Sequence, residues 1–270
     1  MGKAYLFYNP LAGQGKILED LEVLSFVLDD ETVLCDMTKP ETFEEALFAM
    51  EKEDYLVLCG GDGTLNRFVN ILAGIHRPNE IYYYPAGESN NFARDYGRVC
   101  GNNPFPITGA ITDLPRLQMR DREGYFLTGV VFSVPAGFRG LSRKKREYTD
   151  ENRPTGVRVA VDRALRHYDR VCFLAVMQGR HCHDGVIPDI QRKRTDTQLS
   201  CVLIHDCGKR KANRLIRQLQ KGRRPDSRYL TCLRGADIRI AFEEPVTVYT
   251  DGEQQREVRE FSAGRKETAR

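Results

Sequence analysis

Three glycine-containing turns in the first hundred residues, each set directly behind a short apolar run, constrain this chain more than any other feature. "AYLFY" (4–8) ends at Asn9-Pro10 and "LAGQGK", "YLVLC" (55–59) ends at "GGDGT", and "EIYYYPAG" (80–87) leads into "SNNFARDY". Helical patterns separate them. Leu18, Leu21, Leu24 and Leu28 recur at helical spacing, Pro40 opens a segment with Phe43, Ala46, Leu47 and Met50 on one face, and "TLNRFVNILAGI" follows the second turn. "ETVLCDMT" reads as a strand between the first two helices. This β-α-β-α rhythm predicts a mainly parallel sheet covered by helices, with a ligand held beyond the carboxyl ends of the strands.

The rhythm changes after about residue 105. "GNNPFPITG" reads as a linker, and strand-like runs follow in "GYFLTGVVFSV", "VCFLAVMQG", "LSCVLIHD", "DIRIAF" and "PVTVYT". The spacer from Leu141 to Arg170 is expected to supply a polar loop and a helix. Leu215, Ile216 and Leu219 predict a second helix, amphipathic and cationic on its polar side, in "KRKANRLIRQLQKGRR" (209–224). The expected fold is α/β: a three-layer, mainly parallel domain over residues 1–108, then a β-sandwich over 109–260. The tail, 261–270, is expected to fray or to return to the first domain.

Composition narrows the setting. With 41% hydrophobic and 29% charged residues, the chain is an ordinary globular sequence, and no run approaches the eighteen or so apolar residues of a membrane span. The first residues run straight into strand-like sequence, so a cytoplasmic protein is expected. Eight cysteines without CxxC pairing read as reduced thiols. "HCHD" (181–184) could set His181 and His183 on one face of an extended segment, but no second ligand pair accompanies it, and a polar loop is the expected reading. Net charge is +3, yet the first hundred residues carry about 8 Lys/Arg against about 17 Asp/Glu. The positive excess lies in "RGLSRKKREY" (139–148) and in 209–224. Such runs suit an anionic membrane surface. They lack the interleaved aromatics of a single-stranded nucleic-acid site, so no nucleic-acid partner is expected.

Glycines at 60, 61 and 63 leave no Cβ to block a close anionic ligand, and a helix starting near Thr64 would add its positive end. A tight strand-to-helix turn needs glycine for structure alone, so the loop by itself does not decide between the two readings. Asp62 could accept from a ribose or hold Mg²⁺. "TDGEQ" (250–254) reads as a hairpin turn that can also present a base, since Asp-Gly is the strongest short hairpin signal.

"NPLAGQGK" (9–16), "GGDGTLN" (60–66), "PAGESNNFARD" (85–95) and "DGE" (251–253), in that order and spacing, resemble the diacylglycerol kinase catalytic-domain family of the NAD kinase-like superfamily, which includes bacterial lipid kinases and sphingosine kinases. The resemblance implies an ATP- and Mg²⁺-dependent kinase acting on a lipid hydroxyl at the inner membrane face, with a homodimer allowed. It implies that Gly60, Gly61, Gly63 and Thr64 cradle the ATP phosphates and that Asp62 organises the metal. Asn9, Lys16 and the segment Gly87, Glu88 and Asn90 would line the nucleotide pocket, and Glu253, with Asp251 beside it, would be the catalytic base. The chain departs from the family at Glu88, where Thr is usual, and at Asn91, where Asp is usual. "LTGVVFSVPAGFRG" lacks the family's aspartate, and "RTDTQLS" keeps only Asp196 of a stretch that binds a structural Mg²⁺ in some members, so no such metal is expected. These losses leave two alternatives: a catalytically degenerate nucleotide or lipid binder, and a kinase of another small hydroxyl-bearing acceptor.

Overall fold

The computed structural model describes residues 2–73, 79–101, 103–120, 122–134 and 152–265. The chain divides into two compact units, Met1–Asp113 and Leu114–Arg270, five residues beyond the boundary expected from the linker.

In the first unit the elements run β1 (Ala4–Tyr8), α1 (Ile17–Leu28), β2 (Thr32–Asp36), α2 (Pro40–Ala49), β3 (Tyr55–Gly60), α3 (Asp62–Ile71), β4 (Ile81–Pro85), α4 (Asn91–Asp95) and β5 (Phe105–Pro106). The sheet order is β2-β1-β3-β4-β5, parallel from β2 to β4 and antiparallel only at β5. The apolar spacing of the sequence becomes burial. Ile17, Leu21 and Leu24 of α1 pack on Leu6, Val57 and Tyr84 at one sheet face. Phe43 of α2 and Phe68 of α3 close on Phe7, with Phe43 5.2 Å from Phe7 and 6.2 Å from Phe68. Each buried ring contributes about 1.5–3 kcal/mol, which fixes the three strand ends that carry the glycine turns.

The second unit contains β6 (Arg116–Met119), β7 (Arg122–Tyr125), β8 (Gly129–Ser133), β9 (Thr155–Val161), β10 (Ala164–Met177), β11 (Leu199–His205), α5 (Lys209–Gln220), β12 (Leu230–Gly235), β13 (Asp237–Thr250) and β14 (Glu253–Gly264). Its strands form the path β12-β11-β10-β8-β13-β14-β6-β7, with β9 pairing both β10 and β13. The long strands β10 and β13 change partners along their length. β13 pairs β9 through Ile238–Phe242 and β8 through Val248–Thr250, which lets one sheet fold over its own core. On the other face α5 seats Ala212, Leu215, Ile216 and Leu219 against Phe173, Ala175 and Ile204.

One expectation changes. The helix expected within Leu141–Arg170 is, over its described part, the hairpin β9-β10: Asp162 (φ 46°) and Arg163 (φ 74°) make a two-residue turn, left-handed at both positions, that matches strand twist. The alternation in "VRVAV" carried that signal, and the exposed residues that follow masked it. Of the expected tail, residues up to Gly264 continue β14 against β13 and β6, and residues 266–270 lie outside the described residues. The basic run 139–148 lies outside the described residues.

Candidate active site

The glycine loops of the first unit lie at the carboxyl ends of β1, β3 and β4. Asn9 closes the first turn by accepting Leu11 N–H on Oδ1 (3.0 Å) and Ala12 N–H on its carbonyl (2.8 Å). Lys16 stands exposed before α1. The turn reaches the third loop at Gly13, where a Cβ would lie 2.8 Å from the Ala86 carbonyl oxygen. The second and third loops meet more closely still. A Cβ on Gly87 would lie 2.5 Å from Gly61 Cα and 2.8 Å from Asn90 Oδ1, so this position must be glycine for the loops to touch, while a Cβ on Gly61 would be tight at 3.1 Å from Gly87 Cα. Ala86 N–H donates to Gly60 O (2.9 Å), and the buried Tyr83 hydroxyl donates to the same carbonyl (2.9 Å). Burial, reinforced by the nearby Asp62 carboxylate, raises the Tyr83 phenol well above its ordinary value, so it stays a donor.

Helix α3 starts at Asp62 directly behind this contact, with Gly61 as its cap. Its first N–H groups have no intrahelical acceptor, and Gly63 and Thr64 lie in that first turn. Asp62 itself is 6% exposed, and its two oxygens accept Asn91 N–H (2.8 Å) and Phe92 N–H (3.0 Å). Thus the loop's carboxylate caps α4 from twenty-nine residues away, a positioning task that nothing in "GGDGT" announces. Asn90, left-handed at φ 46°, clamps Gly87 by accepting its N–H (2.9 Å) and donating to its carbonyl (2.6 Å). Glu88 is exposed at the edge of this loop, and Asn91 is buried.

The acceptor half is built on the turn between β13 and β14. Asp251 (φ 48°) and Gly252 (φ 93°) are both left-handed, and Thr250 pairs with Glu253, as a tight Asp-Gly hairpin requires. The turn separates the two carboxylates. Asp251 is 2% exposed and accepts Leu127 N–H (2.7 Å), Thr128 N–H (2.7 Å), the Thr128 hydroxyl (2.6 Å) and Gly129 N–H (3.3 Å). Thr128 in turn accepts Gln178 N–H (3.0 Å) and Gly179 N–H (3.2 Å) on its carbonyl. These bonds tie the Asp-Gly turn to the segment Leu127–Gly129. Glu253, expected beside it, is exposed at the first residue of β14. Leu127, Thr128 and Gly129 were missed from the sequence, where only their place before an apolar run marks them.

The His pair is also resolved. His183 is 7% exposed and stacks on Tyr249 at 4.5 Å, two residues before Asp251, while His181 is half-buried. Among the described residues no group of three or more His, Cys, Asp or Glu side chains converges as a metal cage.

The fold is a parallel α/β unit followed by a β-sandwich-like unit. Residues 3–112 match the family described as "Diacylglycerol kinase catalytic domain", and residues 147–261 match "YegS C-terminal NAD kinase beta sandwich-like domain". The chain belongs to this diacylglycerol kinase family, of the NAD kinase-like lipid kinases. A curated relative, "Diacylglycerol kinase" of Bacillus subtilis (strain 168), is 24% identical over 202 residues, which are 66% of this chain and 65% of that protein. Two solved chains described as diacylglycerol kinases from Bacillus anthracis str. Sterne superpose with TM-scores of 0.69 and 0.65 at 19% and 18% identity. Each comparison covers 97% of this chain and 94% of the other, and shows the shared fold.

Proposed function

We propose that the protein is an ATP- and Mg²⁺-dependent kinase that phosphorylates a hydroxyl of a lipid, diacylglycerol in the simplest case. The observation that carries this reading is the convergence of three loops at adjacent parallel strand ends, where glycines leave bare backbone and α3 begins. That is an anion site by construction. Gly60, Gly61, Gly63 and Thr64 would face the phosphates, with Asn9, Lys16, Gly87 and Asn90 around the nucleotide. Exposure of Glu88 supports the same reading, since a solvated carboxylate repels a phosphate far less than a buried one.

The residues fit a magnesium ion of the kind that accompanies ATP. Such an ion uses one or two carboxylates, the phosphates and water rather than a protein cage. Asp62, at the first residue of α3, is the carboxylate that would hold it, and when bound the ion would neutralise charge on the phosphates. Glu253 is the base: the acceptor oxygen bonds to the γ-phosphorus as the bond to the bridging oxygen breaks, ADP leaves, and the hydroxyl proton passes to the Glu253 carboxylate. Asp251 holds the turn that presents it.

Attachment to an anionic bilayer would be electrostatic. No helix among the described residues is long and apolar enough to cross a membrane. The apolar face of α5 is committed to the core, leaving Lys209, Arg210, Lys211, Arg214 and Arg217 exposed. The deciding assay is ATP consumption with Mg²⁺, with and without mixed micelles of diacylglycerol, for the wild type and Glu253→Gln. Micelle-dependent turnover that Glu253→Gln abolishes while ATP binding persists is expected; full activity in Glu253→Gln would refute the base assignment.

A further inference from the structure

The second unit contains a groove of about 970 Å³ that the glycine loops and the Asp-Gly turn do not use. It opens where the β13-β14 ladder is broken. From the pair Ala241-Glu260 to the pair Val246-Val258, β13 advances five residues while β14 advances two, and the register shifts again before Val248-Gln255. The second shift contains Glu257, a non-glycine residue held at φ 58°. Such left-handed bulges are unfavourable for a residue with a Cβ, and they gather at rims where a strand must re-aim its side chains.

What the break exposes is cationic. Arg120, Arg122, Arg158, Arg256 and Arg259 line the groove, all five are exposed, and none makes an ion pair with a described residue. Among the described lining residues the carboxylates are Glu243, Glu257 and Glu260, so five positive charges face three negative ones, and Glu243 already lies 3.3 Å from His167 Nε2. Of the apolar lining residues Met119, Ala241, Phe242 and Val258, the last two are themselves buried, so the fully exposed side chains of the groove are polar or charged. A planar fork of guanidinium donors is the group that recognises phosphate. The groove begins at Gln254, adjacent to Glu253, and at about 3.3 Å per residue Arg256 lies roughly 10 Å along the strand from the proposed base.

We propose that this groove binds the phosphate group of a hydroxyl-bearing phosphate compound of the glycerol phosphate type, and that such a compound, rather than only neutral diacylglycerol, is an acceptor of the kinase. The acceptor role rests on the kinase reading above; the binding site does not.

The test uses the full chain and two probes carrying the same group. Glycerol 3-phosphate is titrated calorimetrically, and cosedimentation is measured with phosphatidylcholine vesicles with and without phosphatidylglycerol. The groove variant is Arg122→Gln/Arg256→Gln, and Arg214→Gln/Arg217→Gln on α5 controls for diffuse attraction. The groove variant is expected to weaken binding roughly ten-fold or more, because two charge-assisted contacts are lost, while the α5 control leaves glycerol 3-phosphate binding unchanged. Loss with both probes identifies a soluble phosphate compound as sufficient, and loss confined to phosphatidylglycerol vesicles identifies a bilayer headgroup. Either supports the groove. Absence of wild-type binding to both probes, or wild-type binding by the groove variant, overturns it. Turnover separates the two readings: transfer to phosphatidylglycerol lost in the groove variant, with transfer to diacylglycerol kept, supports the acceptor role. Groove-dependent binding without transfer to any probe leaves the site standing and removes that role, and absence of turnover with diacylglycerol as well removes the kinase reading.

Discussion

Asp251→Asn tests whether the carboxylate of the Asp-Gly turn positions the base or takes part in the chemistry. Asparagine is as content as aspartate in a left-handed turn, so φ 48° and the hairpin itself should persist. What changes is the buried end of the side chain. Oδ1 can remain facing Thr128 N–H and its hydroxyl, but an amide NH₂ then replaces Oδ2 opposite Leu127 N–H, setting donor against donor where the bond was 2.7 Å. A hydrogen bond to an ionised group contributes about 1.5–3 kcal/mol, and a buried N–H left unsatisfied costs about 1–3 kcal/mol. The expected loss is about 3 kcal/mol in the unfolding of the second unit, read by urea denaturation followed by circular dichroism. In a fold of this size that corresponds to a fall of roughly 6–12 °C in Tm. ATP binding should be unchanged, and turnover should fall together with stability. A variant as stable as the wild type that has lost turnover would refute the positioning argument and return Asp251 to the reaction itself.

Gly87→Ala should displace the contact between the second and third loops, because its Cβ would sit 2.5 Å from Gly61 Cα. A cost of about 1–3 kcal/mol is expected in strain, with weakened ATP binding by calorimetry, while Gly109→Ala, with nothing within 4 Å, should be neutral. Asp62→Asn should weaken ATP binding both with Mg²⁺ and with the metal chelated, because the lost bonds anchor α4; a loss seen only with Mg²⁺ would mean that metal contact is the residue's main work. Asp189 offers a test by acid. Burial opposes its ionisation, but the Ser200 hydroxyl and the Arg234 guanidinium hold its carboxyl below the ordinary 3.8. A depressed folded value contributes stability above the unfolded value and loses it as pH falls through the folded one, so the effect should fade below about pH 4. Asp189→Asn should flatten that acid limb and cost about 2–3 kcal/mol at neutral pH, less than a fully enclosed pair because Arg234 is partly exposed. An unchanged acid limb would contradict the assignment.

Local periodicity made the first unit legible. Its longer helices bury one face, its central strands are near-continuous apolar runs buried on both faces, and the glycine turns announce themselves by composition. α5 was legible for the same reason, with Leu215, Ile216 and Leu219 buried as their spacing required. β14 was not, because "EQQREVRE" shows no apolar alternation: the strand carries the groove on one stretch and the core on another, and a bulge shifts its phase between them. β13 read as two strands because its middle residues, Glu243 and Glu244, face solvent where the ladder opens. The hidden parts of the site are long-range. Asp62 bonds residues about thirty positions away and Asp251 bonds residues more than a hundred positions away, so no window of sequence contains either partner pair.

Those two aspartates have the same design. Each is nearly inaccessible, each presents both oxygens to consecutive backbone N–H groups of another loop, and each lies beside the residues proposed to act: Gly63 and Thr64 in one case, Glu253 in the other. A carboxylate is suited to this because it accepts several bonds at once and, unlike an amide, offers no donor to conflict with converging N–H groups. The hydrogen bond between Asp62 and position 91 does not require a carboxylate there. What Asp62 uses of Asn91 is the main-chain N–H, and that bond is indifferent to the side chain. The arrangement means that loss of activity in an aspartate variant cannot by itself separate chemistry from architecture. Stability, nucleotide affinity and turnover have to be read together, and only Glu253, exposed and free of the latch that fixes its neighbour, is placed so that a change in turnover alone would implicate proton transfer.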